Sequence, residues 1–165
     1  SIPQLKIFLE QGGNIVTIGS STQLAYHLKL PVTDAITEIV NGEDKSLSRD
    51  KYYTPGSILQ MSVDNNQTAT SGLKNITDVY FDNSPVFKLN PTAVSSGVIK
   101  PLAWFGTDKI LRSGWSWGET YLKNGITAFE ASVGKGKLYA FTPEITFRAQ
   151  AQGTFKLLFN QLYSN

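Results

Sequence analysis

The order of local patterns in the N-terminal region constrains the fold more than any other feature of the sequence. Residues 1–11 carry apolar side chains at helical spacing, and Gly12-Gly13 is a common helix terminator. Residues 14–19 form an apolar, β-branched run without polar alternation, which suits a strand covered on both faces, as in parallel sheets. Residues 20–28 begin with good helix-capping residues and continue with helical character. Helix, glycine turn, strand, tight turn and helix together predict an α/β unit.

The middle of the chain predicts short strands separated by turns. Residues 33–56 are polar and rich in turn residues, so we expect a solvent-facing loop. Residues 57–64 alternate between two faces, which predicts a strand. Residues 78–81 and 98–105 predict two further strands. Pro101 makes the second of these an edge strand or a bulged strand, because proline cannot donate to the ladder.

The C-terminal third predicts a β-hairpin followed by a helix. Residues 125–133 and 136–141 are two strand-like segments that flank Gly134-Lys135, where glycine supplies the positive φ of a tight turn. The last helix is predicted over residues 151–163, where apolar side chains recur at helical spacing: Phe155, Leu158, Phe159 and Leu162.

The chain has no cysteine and a single histidine, His27. These counts exclude cysteine nucleophiles, disulfides, thiolate metal sites and zinc sites that need two or three imidazoles. The net charge of +2 provides no strong field for nucleic acid or anionic lipid, and no apolar run approaches the ~20 residues of a membrane span. We therefore expect no metal or cofactor in this chain, no nucleic-acid partner and no membrane insertion.

Ser20 and Ser21 directly follow the first predicted strand, where open α/β sheets place their sites. A serine at this point either caps the following helix or carries chemistry. Residues 19–23 lack the last glycine of a G-x-S-x-G nucleophile elbow, and they match neither a P-loop nor a dinucleotide-binding fingerprint.

Three tryptophans, Trp104, Trp115 and Trp117, lie close together in the sequence. Aromatic side chains of this kind are either anchors in the core and its loops or, when exposed, a surface on which sugar or peptide can stack. Both interpretations remain open at this point.

Two segments resemble class I glutamine amidotransferase domains. Residues 140–144, Ala-Phe-Thr-Pro-Glu, precede a Phe- and Leu-rich final helix and resemble the F-H-P-E segment of that family, and residues 18–22 resemble its G-x-C-x-G elbow. In the family, an elbow cysteine is the nucleophile, and a histidine and a glutamate activate it. The resemblance places Ser21 at the cysteine position, Thr142 at the histidine position and Glu144 at the glutamate position.

A narrower resemblance covers nearly the whole chain. It is to the amidotransferase-like domain at the C-terminus of some bacterial zinc carboxypeptidases of the carboxypeptidase A type. The segments that carry it are 12–21, 53–59, 113–115 with 118–122, 133–137, and 148–150 with 153–160. Such proteins are exported, and their zinc site lies in a separate N-terminal peptidase domain. The resemblance therefore implies an extracytoplasmic bacterial location and zinc only in an upstream domain.

The fold expected from the resemblance is a three-layer, flavodoxin-like α/β domain with flanking helices and a C-terminal hairpin plus helix. We expect residues 1–165 to form a single domain, because their number suffices for one and not two. Complete domains of this kind begin with additional strands and a helix. The chain is thus expected to be the C-terminal part of a larger fold, whose sheet edge an upstream segment, the peptidase domain or another chain covers.

The expected function is non-catalytic. Threonine cannot serve as the general base that a serine nucleophile requires, so the triad fails at Thr142. We expect an accessory domain of a zinc carboxypeptidase-like hydrolase that binds, packs or shapes substrate access during proteolysis. The residues predicted to contact a ligand are Ser20, Ser21, Trp115, Trp117, Glu144 and Arg148.

Two alternatives from other classes stay open. The first is an active serine-dependent amidase or esterase that uses Ser21 with Glu144. The second is a carbohydrate- or peptide-binding module that uses the tryptophan group.

Overall fold

A computed structural model describes residues 1–149 and 151–163 as a mixed α/β fold. The helices of this part are α1 (Ile2–Glu10), α2 (Leu24–His27), α3 (Pro91–Ser95) and α4 (Phe155–Tyr163). The strands are β1 (Asn14–Ile18), β2 (Val32–Asp34), β3 (Thr37–Val40), β4 (Glu43–Ser46), β5 (Ser57–Val63), β6 (Ile76–Phe81), β7 (Phe87–Leu89), β8 (Ile99–Trp104), β9 (Leu111–Ser113), β10 (Ile126–Val133) and β11 (Gly136–Phe141).

The central sheet has the order β1-β11-β10-β8-β5-β6, with β7 beside β10, β2 beside β7 and β9 beside β5. β1 and β11 are parallel, and the other named pairs are antiparallel. Alternate residues of β11 enter two separate apolar cores, since Leu138 and Ala140 belong to one and Tyr139 and Phe141 to the other. The curled sheet with helices on its faces confirms the predicted three-layer α/β class.

Each face of the sheet is closed by different helices. Leu9 of α1 and Ala25 of α2 belong to the core on one side of β11. Leu157 of α4 belongs to the core on the other side, together with Phe141. Most of the predicted elements lie where they were expected, including α1, β5, β6 and the β10–β11 hairpin. In β8, the register with β10 shifts next to Pro101, which confirms the predicted bulge.

β1 differs from its prediction as a strand covered on both faces. Among the strands of residues 1–149 and 151–163 it pairs only with β11, and so it lies at an edge of the described sheet. Thr17 is buried, whereas Ile15, Val16 and Ile18 are only half-buried. An apolar run bounded by glycines is compatible with both positions, because periodicity does not report how many neighbours a strand has.

The prediction of a solvent-facing loop over residues 33–56 is wrong. The segment holds β2, β3 and β4, and Tyr52 within it is buried. β3 and β4 form a two-stranded hairpin whose turn, Asn41-Gly42, has both residues at positive φ. Asn-Gly is a strong signal for this type of turn, but the exposed, charged strand Glu43–Ser46 obscures the strand pattern.

α4 begins at Phe155, and a short 3-10 turn precedes it. Its buried side chains are Leu157 and Gln161, while Phe159 and Leu162 of the predicted apolar stripe are exposed. The helix is oriented by polar contacts: the Gln161 amide donates to the Ala69 carbonyl oxygen at 2.8 Å, and Lys156 Nζ donates to that of Gly72 at 2.8 Å. No helix in the described residues is long and apolar enough to span a membrane.

The contact between α1 and the hairpin generates a prediction about stability. A Cβ atom at Gly136 would overlap the carbonyl oxygens of Leu9 and Gly13, which are backbone atoms that cannot turn away. We expect Gly136→Ala to lower the free energy of unfolding by about 2 kcal/mol or more, as overpacked sites do. Chemical denaturation measures the change.

Gly153→Ala is the matched control for this substitution. A Cβ atom at Gly153 would enter open space, and the residue has no positive φ. We expect the free energy of unfolding of this variant to stay within about 0.5 kcal/mol of the wild-type value. Equal effects of the two substitutions would contradict the close approach of α1 to β11.

Candidate functional site

The turn after β1 resembles a nucleophile elbow in which the residue at positive φ, directly after the strand, is a glycine. Gly19 follows the strand directly, has a φ of 60° and opens the 3-10 turn Gly19–Gln23. In such elbows the nucleophile occupies the strained residue between strand and helix. That residue here is Gly19 rather than Ser21, so the elbow presents no nucleophilic side chain at this position.

Ser21 uses its hydroxyl to close the turn. The Ile18 N–H donates to Ser21 Oγ at 2.8 Å, and the Ser21 hydroxyl donates to the Ile18 carbonyl oxygen at 2.7 Å. Both bonds are local, which is the capping role that serine commonly takes. Ser20 is exposed and lines a neighbouring cleft, and His27 is exposed in the last turn of α2.

Thr142 lies directly after β11 and is fully buried. Its backbone N–H donates to the Thr127 carbonyl oxygen at 2.8 Å, and its hydroxyl has no hydrogen-bond partner within residues 1–149 and 151–163. A buried hydroxyl has no useful basicity near neutral pH. Thr142 therefore supplies no general base at the position that the resemblance assigns to histidine.

The Glu144 carboxylate occupies the space in front of the elbow. A Cβ atom at Gly19 would overlap Glu144 Oε1, so the two residues are direct neighbours. The backbone N–H of Glu144 donates to the Tyr80 carbonyl oxygen at 3.1 Å, which fixes the segment against the end of β6. The fold thus brings the elbow and Glu144 together, and the missing side chain at position 19 leaves room for the carboxylate.

A cleft of about 560 Å³ opens beside the elbow. Its lining includes Ser20, Tyr26, Asp34 and Ser84. Burial, together with a smaller effect of the Asp34 carboxylate, raises the pKa of Tyr26 to about 12. The sequence did not predict this cleft, because no local pattern places residues 83–85 beside residues 20–26.

The tryptophans do not form one group. Trp115 and Trp117 are half-exposed in the segment after β9, whereas Trp104 is partly buried in β8. Trp104 pairs with Ser62 and Trp115 is bonded to Ser57, so the two lie at opposite ends of β5, about 17 Å apart along the strand. Of the three tryptophans, Trp115 and Trp117 remain candidates for a stacking surface.

Arg148 lies in the segment that follows Glu144. Its side chain is exposed, and its guanidinium lies 5.2 Å from the centre of the Phe147 ring. Phe147 in turn stacks on Tyr80 with ring centres 4.4 Å apart. In the part of the chain that is described, no group of three or more His, Cys, Asp or Glu side chains has the arrangement of a metal site.

Comparisons with known proteins extend the description of the fold and leave the activity open. No family model and no curated protein matches the sequence. Among solved structures, the chain is similar to a β-galactosidase from Bacillus circulans sp. alkalophilus, with a TM-score of 0.57, 13% identity, and coverage of 99% of this chain and 20% of that one.

Two further structures share the fold. A GMP synthase-like protein from Thermoplasma acidophilum has a TM-score of 0.56 at 13% identity, over 96% of this chain and 61% of that one. A ThuA-like protein from Bacteroides uniformis has a TM-score of 0.51 at 11% identity, over 98% and 61%. The chain spans less than two thirds of each of these three structures. It has the class I glutamine amidotransferase-like fold.

Tyr52, which is buried close to this end of the sheet, generates a prediction about pH. Burial raises its pKa from 10.0 to about 12, with a smaller contribution from the Asp34 carboxylate. Between pH 10 and 12 the unfolded tyrosine ionises while the folded one stays protonated, so the free energy of unfolding falls as the pH rises.

We expect Tyr52→Phe to remove this contribution. Its free energy of unfolding should fall less steeply than that of the wild type in this range, by up to about 1.4 kcal/mol per pH unit. Urea denaturation at pH values from about 8 to about 12 measures both slopes. Parallel curves for the two proteins would show that Tyr52 titrates alike in the folded and unfolded states.

Proposed function

We propose that this chain is a non-catalytic amidotransferase-like domain that serves as an accessory module of a larger protein. The observation that carries the proposal is the elbow, where Gly19 stands at the nucleophile position and the Glu144 carboxylate fills the space that a side chain would need. A catalytic elbow requires the reverse arrangement, with a nucleophile pointing at a bound substrate.

The rival amidase or esterase needs an activated Ser21. The Ser21 hydroxyl accepts a hydrogen bond from the Ile18 N–H and donates one to the Ile18 carbonyl oxygen. Thr142, which the resemblance places at the histidine position, has a buried hydroxyl group. A serine without an adjacent base is a weak nucleophile near neutral pH. These contacts favour the non-catalytic proposal over the rival.

The accessory role is supported by how the fold occurs elsewhere. The structural matches to two β-galactosidases cover 99% and 98% of this chain, each at 13% identity. The matching part is only 20% and 18% of the β-galactosidase chains. A domain of this fold can therefore be one part of a larger protein. From the β-galactosidases we take only this modular arrangement, and we assign none of their substrates to this chain.

Our finer proposal for the larger protein is an exported bacterial zinc carboxypeptidase. It rests on the sequence resemblance of segments such as 53–59 and 113–115 with 118–122. In this proposal the zinc and the proteolytic activity belong to an upstream peptidase domain. The gene-level test is direct: a coding sequence without a zinc-peptidase domain before Ser1 would overturn this assignment and leave the non-catalytic proposal unaffected.

The proposed contact with the rest of that protein is the side of the domain formed by β1 and α1. β1 has β11 as its single partner in the described sheet, so its outer backbone edge is free to pair. On α1, Ile7 and Phe8 are 51% and 50% exposed, and only Leu9 is buried. A free strand edge beside an apolar helix face fits an added strand from an upstream segment.

The catalytic alternative makes a distinct prediction for activity. We expect no hydrolysis of glutamine or of p-nitrophenyl acetate by the wild type above the level of Ser21→Ala and Glu144→Ala, because the non-catalytic proposal has no activated nucleophile at the elbow. Ammonia release and the absorbance of p-nitrophenolate measure the two reactions. Wild-type hydrolysis that disappears in Ser21→Ala would establish the serine hydrolase instead.

The proposed edge contact makes a prediction for backbone exchange. In the full-length gene product, the amides of β1 should exchange at least roughly tenfold more slowly than in the 165-residue chain, because pairing buries them. Hydrogen–deuterium exchange with mass spectrometry measures both proteins. Peptides from β10, which is paired on both sides, are the internal control. Unchanged exchange in β1 would contradict the contact.

A further inference from the structure

Three exposed aromatic side chains and the half-buried Tyr53 form a surface that the proposed function does not use. Trp115, Trp117 and Tyr121 are 52%, 54% and 42% exposed, and the Tyr53 ring lies 5.9 Å from that of Trp115. We call these four residues the aromatic platform. Large aromatic groups exposed together are uncommon on a soluble protein and mark a binding surface.

The backbone under the platform is held rigidly. The Trp115 N–H donates to Ser57 Oγ at 3.0 Å, and the Ser57 hydroxyl donates to the Trp115 carbonyl oxygen at 2.8 Å. Tyr53 and Trp117 exchange two backbone hydrogen bonds, of 3.0 and 2.9 Å. Because the platform is already ordered, little conformational entropy is lost when a ligand binds to it.

The two indoles face the same side of this segment. Ser116 between them turns inward, where its hydroxyl lies 2.7 Å from that of the buried Thr54. In extended backbone alternate side chains point the same way, so Trp115 and Trp117 point outward together. Gly118, at a φ of 71°, is required because a Cβ atom there would overlap the Lys51 carbonyl oxygen.

The platform offers ring faces with hydrogen-bonding groups at their margin. Trp117 Nε1 already donates to the Asp50 carbonyl oxygen at 2.6 Å, so the indole has its edge satisfied and its face left for a ligand. A shallow hollow of about 350 Å³ lies next to this ring, lined by Asp50, Lys51, Gly118 and Tyr121. The side chains of its lining residues Asp50, Lys51 and Tyr121 carry a carboxylate, an ammonium and a phenol.

The charges around the hollow nearly cancel. Lys51 Nζ pairs with the Glu38 carboxylate at 2.7 Å, and the Arg49 guanidinium lies 4.4 Å from the centre of the Tyr53 ring, near the Asp50 carboxylate in the sequence. A hydrogen bond from the Ser48 side chain lowers the pKa of the Asp50 carboxyl. Such a rim favours neutral hydroxyl groups, which both donate and accept, over a strongly charged ligand. Four side chains are also far fewer than the roughly 20–30 residues per side of a stable protein interface.

We propose that the aromatic platform binds a neutral carbohydrate. A pyranose ring has an apolar C–H face that stacks on Trp115 and Trp117, and hydroxyl groups at its rim that bond to Asp50, Lys51 and Tyr121. This site goes beyond the proposed function, since a non-catalytic accessory domain needs no sugar.

The test is native affinity electrophoresis of the 165-residue chain in gels that contain soluble β-glucan, galactan or starch. We expect at least one polysaccharide to retard the wild type, and Trp115→Ala and Trp117→Ala to weaken the interaction roughly tenfold or more, as truncated aromatic anchors do. The Trp115 ring makes no hydrogen bond in the described residues, so its removal leaves the loop contacts in place.

Tyr163→Ala is the matched control, because Tyr163 is an aromatic side chain that is 82% exposed on α4, outside the platform. It should migrate like the wild type in every gel. Absence of retardation with all three polysaccharides, or retardation that survives both tryptophan substitutions, overturns the proposal. The hydrolysis assays on Ser21→Ala do not depend on the electrophoresis. A lack of carbohydrate binding would therefore leave the non-catalytic proposal unaffected.

Discussion

The parallel pairing of β1 with β11 is the constraint on which the rest of this end of the molecule depends. Its register runs from Asn14 beside Lys137 to Ile18 beside Phe141, so the two strands end together. The next residue after one strand is Gly19, and the next after the other is Thr142. The elbow and the segment that contains Glu144 lie far apart in the sequence and become neighbours only through this ladder, because parallel strands share their carboxyl ends at one edge.

At that edge, several polar side chains form hydrogen bonds with the backbone. Ser21 closes its own turn, and Thr22 donates to the Gly19 carbonyl oxygen at 2.7 Å. The Thr54 N–H donates to Asn83 Oδ1, and the Asn83 N–H donates back to the Thr54 carbonyl oxygen. These hydrogen bonds fix the loops at this edge of the sheet.

Local sequence patterns predicted most of the helices and strands, but few of the contacts between them. α1 and the β10–β11 hairpin follow from helical spacing and from Gly134, signals that act within a few residues. The same kind of signal is present at Asn41-Gly42, but the exposed, charged strand Glu43–Ser46 that follows it obscures the hairpin pattern. α4 was predicted as a helix but with its apolar stripe inward, and hydrogen bonds from Gln161 and Lys156 to residues 69–72 turn it otherwise.

By itself, the sequence determined the α/β class, the elements at both ends of the chain and the absence of cysteine and of any multiple-imidazole chemistry. These depend on residue type and short-range spacing, which need no knowledge of neighbours in space. Only the tertiary structure decided that Gly19 has a positive φ at the end of β1, that Glu144 lies directly against it, and that Trp115 and Trp117 are separated from Trp104. Each of these depends on strand register and on contacts between distant segments, which local pattern does not encode.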